Sequence, residues 1–195
     1  MNYLAHAYLS FHHPDILVGN MISDFIKGKK QYDYPLPIQK GIKLHRAIDS
    51  FTDNHTAVRQ AKQYLKPAVG LYSGAFVDVA FDHFLALDTS SFTNTDDLKS
   101  FAISTYQILE ARQEWLPENF IKVFPYMKQN NWLYNYQFAW GIERSFANIA
   151  RRATYLSSAA ECFKLWEENY EAMQKLYKIF FPQLKDFTIA YLGTI

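Results

Sequence analysis

The sequence predicts an all-α fold, a single-domain helical bundle spanning residues 1–195. Three observations lead there. Apolar residues recur at i, i+3, i+4, i+7, as in Val18, Met21, Ile22 and Phe25 and again in Leu44, Ala47, Ile48 and Phe51. No run of strand length alternates apolar and polar residues with a period of two. Only 7 Gly and 7 Pro are spread over 195 residues, which leaves little room for long structureless loops. A chain of this length that is 49% hydrophobic and 20% charged can bury one sizeable core. It contains no internal repeat, linker or low-complexity tract.

The elements follow in order. Pro14 reads as a first-turn proline, and the helix it opens runs to Gly28, with Lys27, Lys29 and Lys30 suited to its C-terminal end. Residues 31–37 read as a loop marked by Asp33, Pro35 and Pro37. The helix carrying Leu44 to Phe51 ends at Thr52, Asp53 and Asn54, which offer a break and a new N-cap. A helix from Asn54 to Leu65 stops before Pro67. Another spans about Leu71 to Leu87. Asp88 to Thr95 is a polar turn, and Asp96 and Asp97 belong at the next helix start. Pro117 and Pro125 mark boundaries, and Trp132 to Phe187 alternates aromatic and charged residues at helical spacing.

Composition excludes several function classes. A formal net charge of +1 gives no bulk attraction for nucleic acid or membranes. The single Cys162 excludes an intrachain disulfide and a cysteine-rich zinc site. No stretch is long and apolar enough to span a bilayer, and Met1 to His6 lacks the basic region of a signal peptide. A cytoplasmic protein is expected.

Chemistry concentrates in three stretches where His and Asp interrupt apolar helical sequence: Gly19–Phe25, His45–Asp53 and Asp78–Phe84. Asp78 and Asp82 lie at i, i+4 on a face otherwise formed by Leu71, Ala75, Leu85 and Ala86. Two carboxylates in an apolar stripe repel unless a cation separates them. A divalent metal is one solution, and Lys or Arg from another helix is the structural alternative. His45 and Asp49 repeat the spacing at the edge of a core stripe, where they either enter a cleft or simply pair with each other. Asn20 and Asp24 form a third such pair. The forked guanidinium of Arg46 suits phosphate, or a surface ion pair. His6, between Ala5 and Ala7, reads as a core residue or a ligand. His83 points about 100° around its helix from Asp82, as an edge ligand or a group orienting one. His12 and His13 receive no role, and His55 stabilises a local turn. An oxygen and nitrogen donor set without sulfur favours Mn²⁺, Mg²⁺ or Fe²⁺, with Zn²⁺ a further option. The aromatic blocks at Trp132–Tyr136 and Phe138–Trp140 either pack the core or line an organic substrate channel.

Taken together, Met1–His6, Gly19-Asn20 with Asp24, Gly41-Ile42 with Leu44-His45-Arg46 and Asp49, Phe51-Thr52-Asp53 with His55, and Asp78 with Asp82-His83-Phe84-Leu85 resemble the acyl carrier protein phosphodiesterase family. Looser matches follow at Trp132-Leu133, Tyr136, Gly141-Ile142 and Arg152. The resemblance implies an all-helical fold related to the HD-domain phosphohydrolases, although Asp82-His83 reverses the His-Asp order. It implies hydrolysis of holo-acyl carrier protein to the apo form and free 4'-phosphopantetheine with a divalent metal, typically Mn²⁺. On that reading the metal ligands are Asp24, His45, Asp78, Asp82 and His6. Arg46 neutralises phosphoryl charge, and Asp49 or His83 orients ligands or carries protons. Lys40, Lys43 and Arg46 are expected to flank the cleft and attract the acidic carrier protein. Two alternatives stay open: an HD-like phosphohydrolase of a nucleotide or other small phosphodiester, and a non-catalytic helical binding protein.

Overall fold

The computed structural model describes residues 1–152 and 159–195, so the part of the expected helical stretch at 153–158 lies outside the described residues. Among the described residues there are eleven α-helices and no strands. They are α1 (Tyr3–Tyr8), α2 (Pro14–Ile22), α3 (Leu36–Asn54), α4 (Thr56–Val69), α5 (Ser73–Ala86), α6 (Thr95–Glu110), α7 (Glu118–Gln129), α8 (Trp132–Asn135), α9 (Ala139–Arg152), α10 (Ala159–Glu168) and α11 (Tyr170–Leu192). The all-α class follows directly.

The most buried helix is α5. Phe76, Val77 and every residue from Val79 to Ala86 are buried, and α5 packs against α1, α4, α9 and α11. A helix apolar on nearly all sides belongs at the centre of a bundle. Its neighbours are amphipathic, and each presents one stripe inward, such as Ala57, Val58, Ala61 and Leu65 of α4.

The elements differ from the sequence expectation mainly at their ends. The helix opened by Pro14 stops at Ile22, and a 3₁₀ turn at Ser23–Phe25 replaces its last turns. This tighter turn sets Asp24 beside α3. A second 3₁₀ segment, Gly28–Asp33, takes the first three positions of the expected loop, and α3 starts at Leu36 within its last two. Pro37 lies inside the first turn of α3, where a missing N–H costs no helical bond. Pro67, Pro125 and Pro182 all lie inside helices rather than at their ends. Burial explains the two deeper cases: Phe124 and Met127 flank Pro125 in the core, as Phe181 and Leu184 flank Pro182. Their packing offsets a proline cost of about 3 kcal/mol. The cap of α4 is His55, whose Nδ1 accepts from the Ala57 N–H at 3.2 Å, while Thr52 to Asn54 remain in α3. Asn94 caps α6 and places Asp96 and Asp97 in its first turn, as expected. Leu71 is outside α5 and 98% exposed, so it does not share the face of Asp78 and Asp82.

The tightest helix pair is α2 against α3. A Cβ at Gly19 would stand 2.0 Å from the Ile38 carbonyl oxygen, and one at Gly41 would stand 2.2 Å from that of Ile16. Both obstacles are backbone, so neither can turn aside. The two glycines let the helix axes approach where Asn20 and His45 must meet. Gly41→Ala is therefore expected to destabilise the fold by about 3 kcal/mol, the upper end of ordinary overpacking. Urea unfolding followed by circular dichroism measures it. A loss below about 1 kcal/mol, the lower end of that range, would show that the helices separate easily.

Candidate metal centre

Three side chains converge between α1 and α3. One ligand atom from each of His6, His45 and Asp49 lies within 4.8 Å of the others. The two imidazoles are stacked, with centroids 3.9 Å apart and planes 14° from parallel. His45 Nε2 stands 3.0 Å from Asp49 Oδ2 and 3.1 Å from Asp24 Oδ1. His6 Nε2 stands 3.3 Å from Asp49 Oδ1.

The other ring nitrogens are fixed from behind. His45 Nδ1–H donates to the Asn20 carbonyl at 2.7 Å. The Asn20 amide nitrogen donates to the His6 carbonyl at 2.7 Å and to Ser10 Oγ at 3.1 Å. Its Oδ1 must then accept, and His6 Nδ1–H donates to it at 2.8 Å. Asn20 thus sets both tautomers and turns both Nε2 atoms toward Asp49. This is how histidine ligands are held in metalloproteins.

The proton inventory points the same way. Burial, and then the neighbouring His45 charge, lower His6 to a pKa of about 4. Its Nε2 lone pair is buried and without a hydrogen-bond partner. Burial also works against charge on His45, but Asp24 and Asp49 outweigh it and raise the pKa to about 9. Burial alone would raise Asp49; the hydrogen bond from His45 instead holds it well below the usual range. The His45 hydrogen bond lowers Asp24 as well. A neutral imidazole facing a carboxylate across 3.3 Å is two acceptors in opposition. A divalent cation between them resolves it, and the nitrogen and carboxylate donors suit Mn²⁺, Fe²⁺ or Zn²⁺.

The remaining predicted residues divide into two groups. Asp24 borders the cluster with a side chain 70% exposed. Asp78 lies beside it and pairs with the Met1 α-amino group at 3.2 Å, which also reaches Asp49 at 3.5 Å. Burial opposes that ammonium, but Asp78 and Asp49 raise its pKa to about 10. Asp82 is fully buried and directed elsewhere. Its carboxylate accepts from the backbone N–H groups of Leu4 at 2.7 Å and of Asn2 and Ala5 at 3.3 Å. It caps the N-terminus of α1, and burial pushes its pKa up to about 7. His83 faces away from the cluster: Nδ1–H donates to the Tyr136 carbonyl at 2.6 Å, and Nε2 accepts from the Tyr170 hydroxyl at 2.8 Å. Arg46 borders the Asp24 turn, donating to the Ile26 carbonyl at 3.2 Å and to Gln31 Oε1 at 2.8 Å. Lys40 and Lys43 lie about 140° and 160° around α3 from His45, and Lys40 donates to the Ile195 carbonyl at 2.7 Å. Arg46 is thus the member of that basic trio nearest the cluster. Asp49 as a ligand and Asn20 as the group orienting both imidazoles go beyond what is expected from the sequence. Their i, i+4 spacing to His45 and Asp24 was the available signal.

A cleft of about 300 Å³ opens beside the cluster, with Asp24 and Asp78 at one end and α8 and α9 along its side. The sequence model described as acyl carrier protein phosphodiesterase matches residues 1–184. The chain belongs to that family. It is thereby placed among phosphoric diester hydrolases. A Photorhabdus laumondii protein named acyl carrier protein phosphodiesterase is 28% identical over 186 residues, covering 95% of this chain and 94% of its own length. Similar proteins of the same name come from Klebsiella pneumoniae, 29% identical over 184 residues with 94% and 95% covered, and from Yersinia pestis, with the same identity and coverage. No solved structure matches.

For this acyl carrier protein phosphodiesterase family member, the proton inventory sets a test. His6 is already neutral near pH 7, whereas His45 must lose its proton to ligate. Mn²⁺ binding at pH 7 is therefore expected to release about one proton per ion. Calorimetric titration in buffers of different ionisation enthalpy measures this. Asn20→Ala should weaken binding roughly 10- to 100-fold by freeing the imidazoles. Binding without proton release would exclude His45 as a ligand.

Proposed function

We propose that this chain hydrolyses the phosphodiester joining 4'-phosphopantetheine to the serine of holo-acyl carrier protein, yielding the apo protein. The observation carrying this reading is the convergence of His6, His45 and Asp49 beside a cleft that Asp24 and Asp78 line, in a chain whose relatives are named for that activity. His6 Nε2, His45 Nε2 and Asp49 would hold the divalent ion, with Asp24 beside them. Mn²⁺ is our first choice, with Mg²⁺ or Fe²⁺ as alternatives. The bound ion supplies Lewis-acid polarisation of the phosphodiester and lowers the pKa of a water.

The protein's own groups do the rest. Asp24, with its exposed carboxylate at the edge of the cluster, is placed to accept the proton of the attacking water. Water attacks phosphorus in line, the P–O bond to serine breaks, and the serine oxygen takes up a proton from solvent while Asp24 releases the one it accepted. Asn20 keeps both imidazoles oriented throughout. Arg46, anchored by the Ile26 carbonyl, places positive charge at the rim, where an acidic carrier protein would dock.

The direct test combines the purified protein with holo-acyl carrier protein and Mn²⁺, with mass spectrometry reading loss of the phosphopantetheine arm. Asp24→Ala should lower kcat by about 10²- to 10⁴-fold, the usual worth of a general base, with helical content unchanged. Activity retained in that variant would remove Asp24 from the mechanism. Added salt should lower kcat/KM on the carrier protein but not on bis(p-nitrophenyl) phosphate. Equal salt dependence for both would favour a small phosphodiester as the natural substrate.

A further inference from the structure

The cleft beside the metal centre has a built interior that the chemistry at His6, His45 and Asp49 does not require. Its long side is α9. Gly141, Ser145, Asn148, Ile149 and Arg152 recur at helical spacing along one face and line the cleft over about 16 Å at 1.5 Å per residue. Further lining comes from the turn into α8. Asn131 adopts the left-handed conformation with φ 44 and ψ 54, which asparagine tolerates, and Asn130 and Trp132 on either side of it line the cleft.

The two ends differ in charge. Asp24, Asp78 and Arg152 mark the end next to the metal centre, and Arg152 is the cation felt by Tyr3 and Tyr136 there. Among the described residues Arg152 forms no ion pair. Away from that end the lining is uncharged amide and indole: Asn148, Asn135, Asn130, Trp132 and Trp140. The exception is Arg144, and it donates to Asn130 Oδ1 at 3.0 Å. Trp140 is half-exposed and stacks on Phe138 with centroids 5.6 Å apart, so an indole face lies at the outer lip.

An elongated cleft whose reactive end carries a guanidinium without an ion pair among the described residues, then amides and aromatic surface, matches a ligand with one phosphate followed by a neutral chain of amide and alkyl units. We propose that the α8–α9 cleft is the binding site of the pantetheine arm. Arg152 meets the phosphodiester, Asn148 hydrogen-bonds the arm's amides, and Trp132 and Trp140 cover its alkyl segments. Specificity then resides in the arm as well as in the carrier protein's surface. The assignment rests on the reading that the phosphodiester cleaved is that of holo-acyl carrier protein.

Two measurements test it, one of them independent of catalysis. Tryptophan fluorescence follows titration of the full chain with pantetheine, which lacks the phosphate and needs no metal. Kinetics on holo-acyl carrier protein with Mn²⁺ provide the second readout. Trp140→Ala and Asn148→Ala should each weaken pantetheine binding about tenfold and raise KM about tenfold, a loss of 1.4 kcal/mol, with kcat changed less than threefold. Arg152→Gln should lower kcat/KM on holo-carrier protein and leave pantetheine binding unchanged. Ser100→Ala, remote from the cleft, should change neither. Wild-type turnover of holo-carrier protein with unaltered KM and binding in the Trp140 and Asn148 variants would overturn the arm site and leave the activity standing. Pantetheine binding that these variants lose, in a protein that does not cleave holo-carrier protein, would support the arm site while the activity fails. Binding of a nucleoside monophosphate in place of pantetheine would overturn both.

Discussion

The approach of α2 to α3 is the constraint on which the rest depends. Gly19 and Gly41 remove the two Cβ atoms that would collide with backbone, and the helices close to a distance no larger residue allows. Asn20 follows Gly19, and His45 lies one turn beyond Gly41. Only at that approach does the Asn20 carbonyl reach His45 Nδ1, while the Asn20 side chain reaches both Nδ1 and the carbonyl of His6. One asparagine thereby ties three helices together and fixes two tautomers. The close packing is a stability feature whose purpose is read in the orientation of the imidazoles.

Helix α1 presents the complementary problem. Six residues cannot hold a helix by propensity alone. Its N-terminal amides are satisfied by the buried Asp82 carboxylate from the central helix, which pins α1 onto α5 and holds His6 in register with His45. Asp82 thus serves the site through backbone geometry. Asp78, one turn earlier on α5, faces the cleft instead. The two carboxylates share a helix face, yet one anchors a helix and the other borders a charged cavity.

This division explains what was legible in the sequence. The helices around Leu44 and Phe81 were readable from apolar spacing because their stripes pack directly on the core. Pro67 and Pro125 lie inside helices instead of bounding them, and at Pro125 flanking burial, a tertiary quantity, outweighs one lost hydrogen bond. His45 with Asp49, and Asn20 with Asp24, were visible as i, i+4 pairs. Which member of each faces which neighbour was not, since that depends on helix crossing. His6 looked like core and is core, at 3% exposure, yet its orphaned Nε2 marks it as a ligand candidate. His83 likewise lies in an apolar helical stretch, but its partners, Tyr136 and Tyr170, come from residues 53 and 87 positions away. No local pattern distinguishes those two histidines.

The stacked pair also shows why the site suits a divalent ion better than a permanent salt bridge. Two imidazolium rings 3.9 Å apart would repel, so the pair holds one proton beyond the neutral state. That proton resides on His45, which faces two carboxylates, while His6 is driven neutral by burial and by its neighbour. The folded cluster therefore already neutralises one carboxylate and leaves one lone pair unused. Exchanging the single proton for a divalent ion engages the unused lone pair and adds one net positive charge. An anionic phosphodiester entering past Arg152 would meet that charge. The same exchange makes loading pH-dependent: below a pKa of about 9 the His45 proton competes with the ion, so affinity rises with pH until that proton is gone.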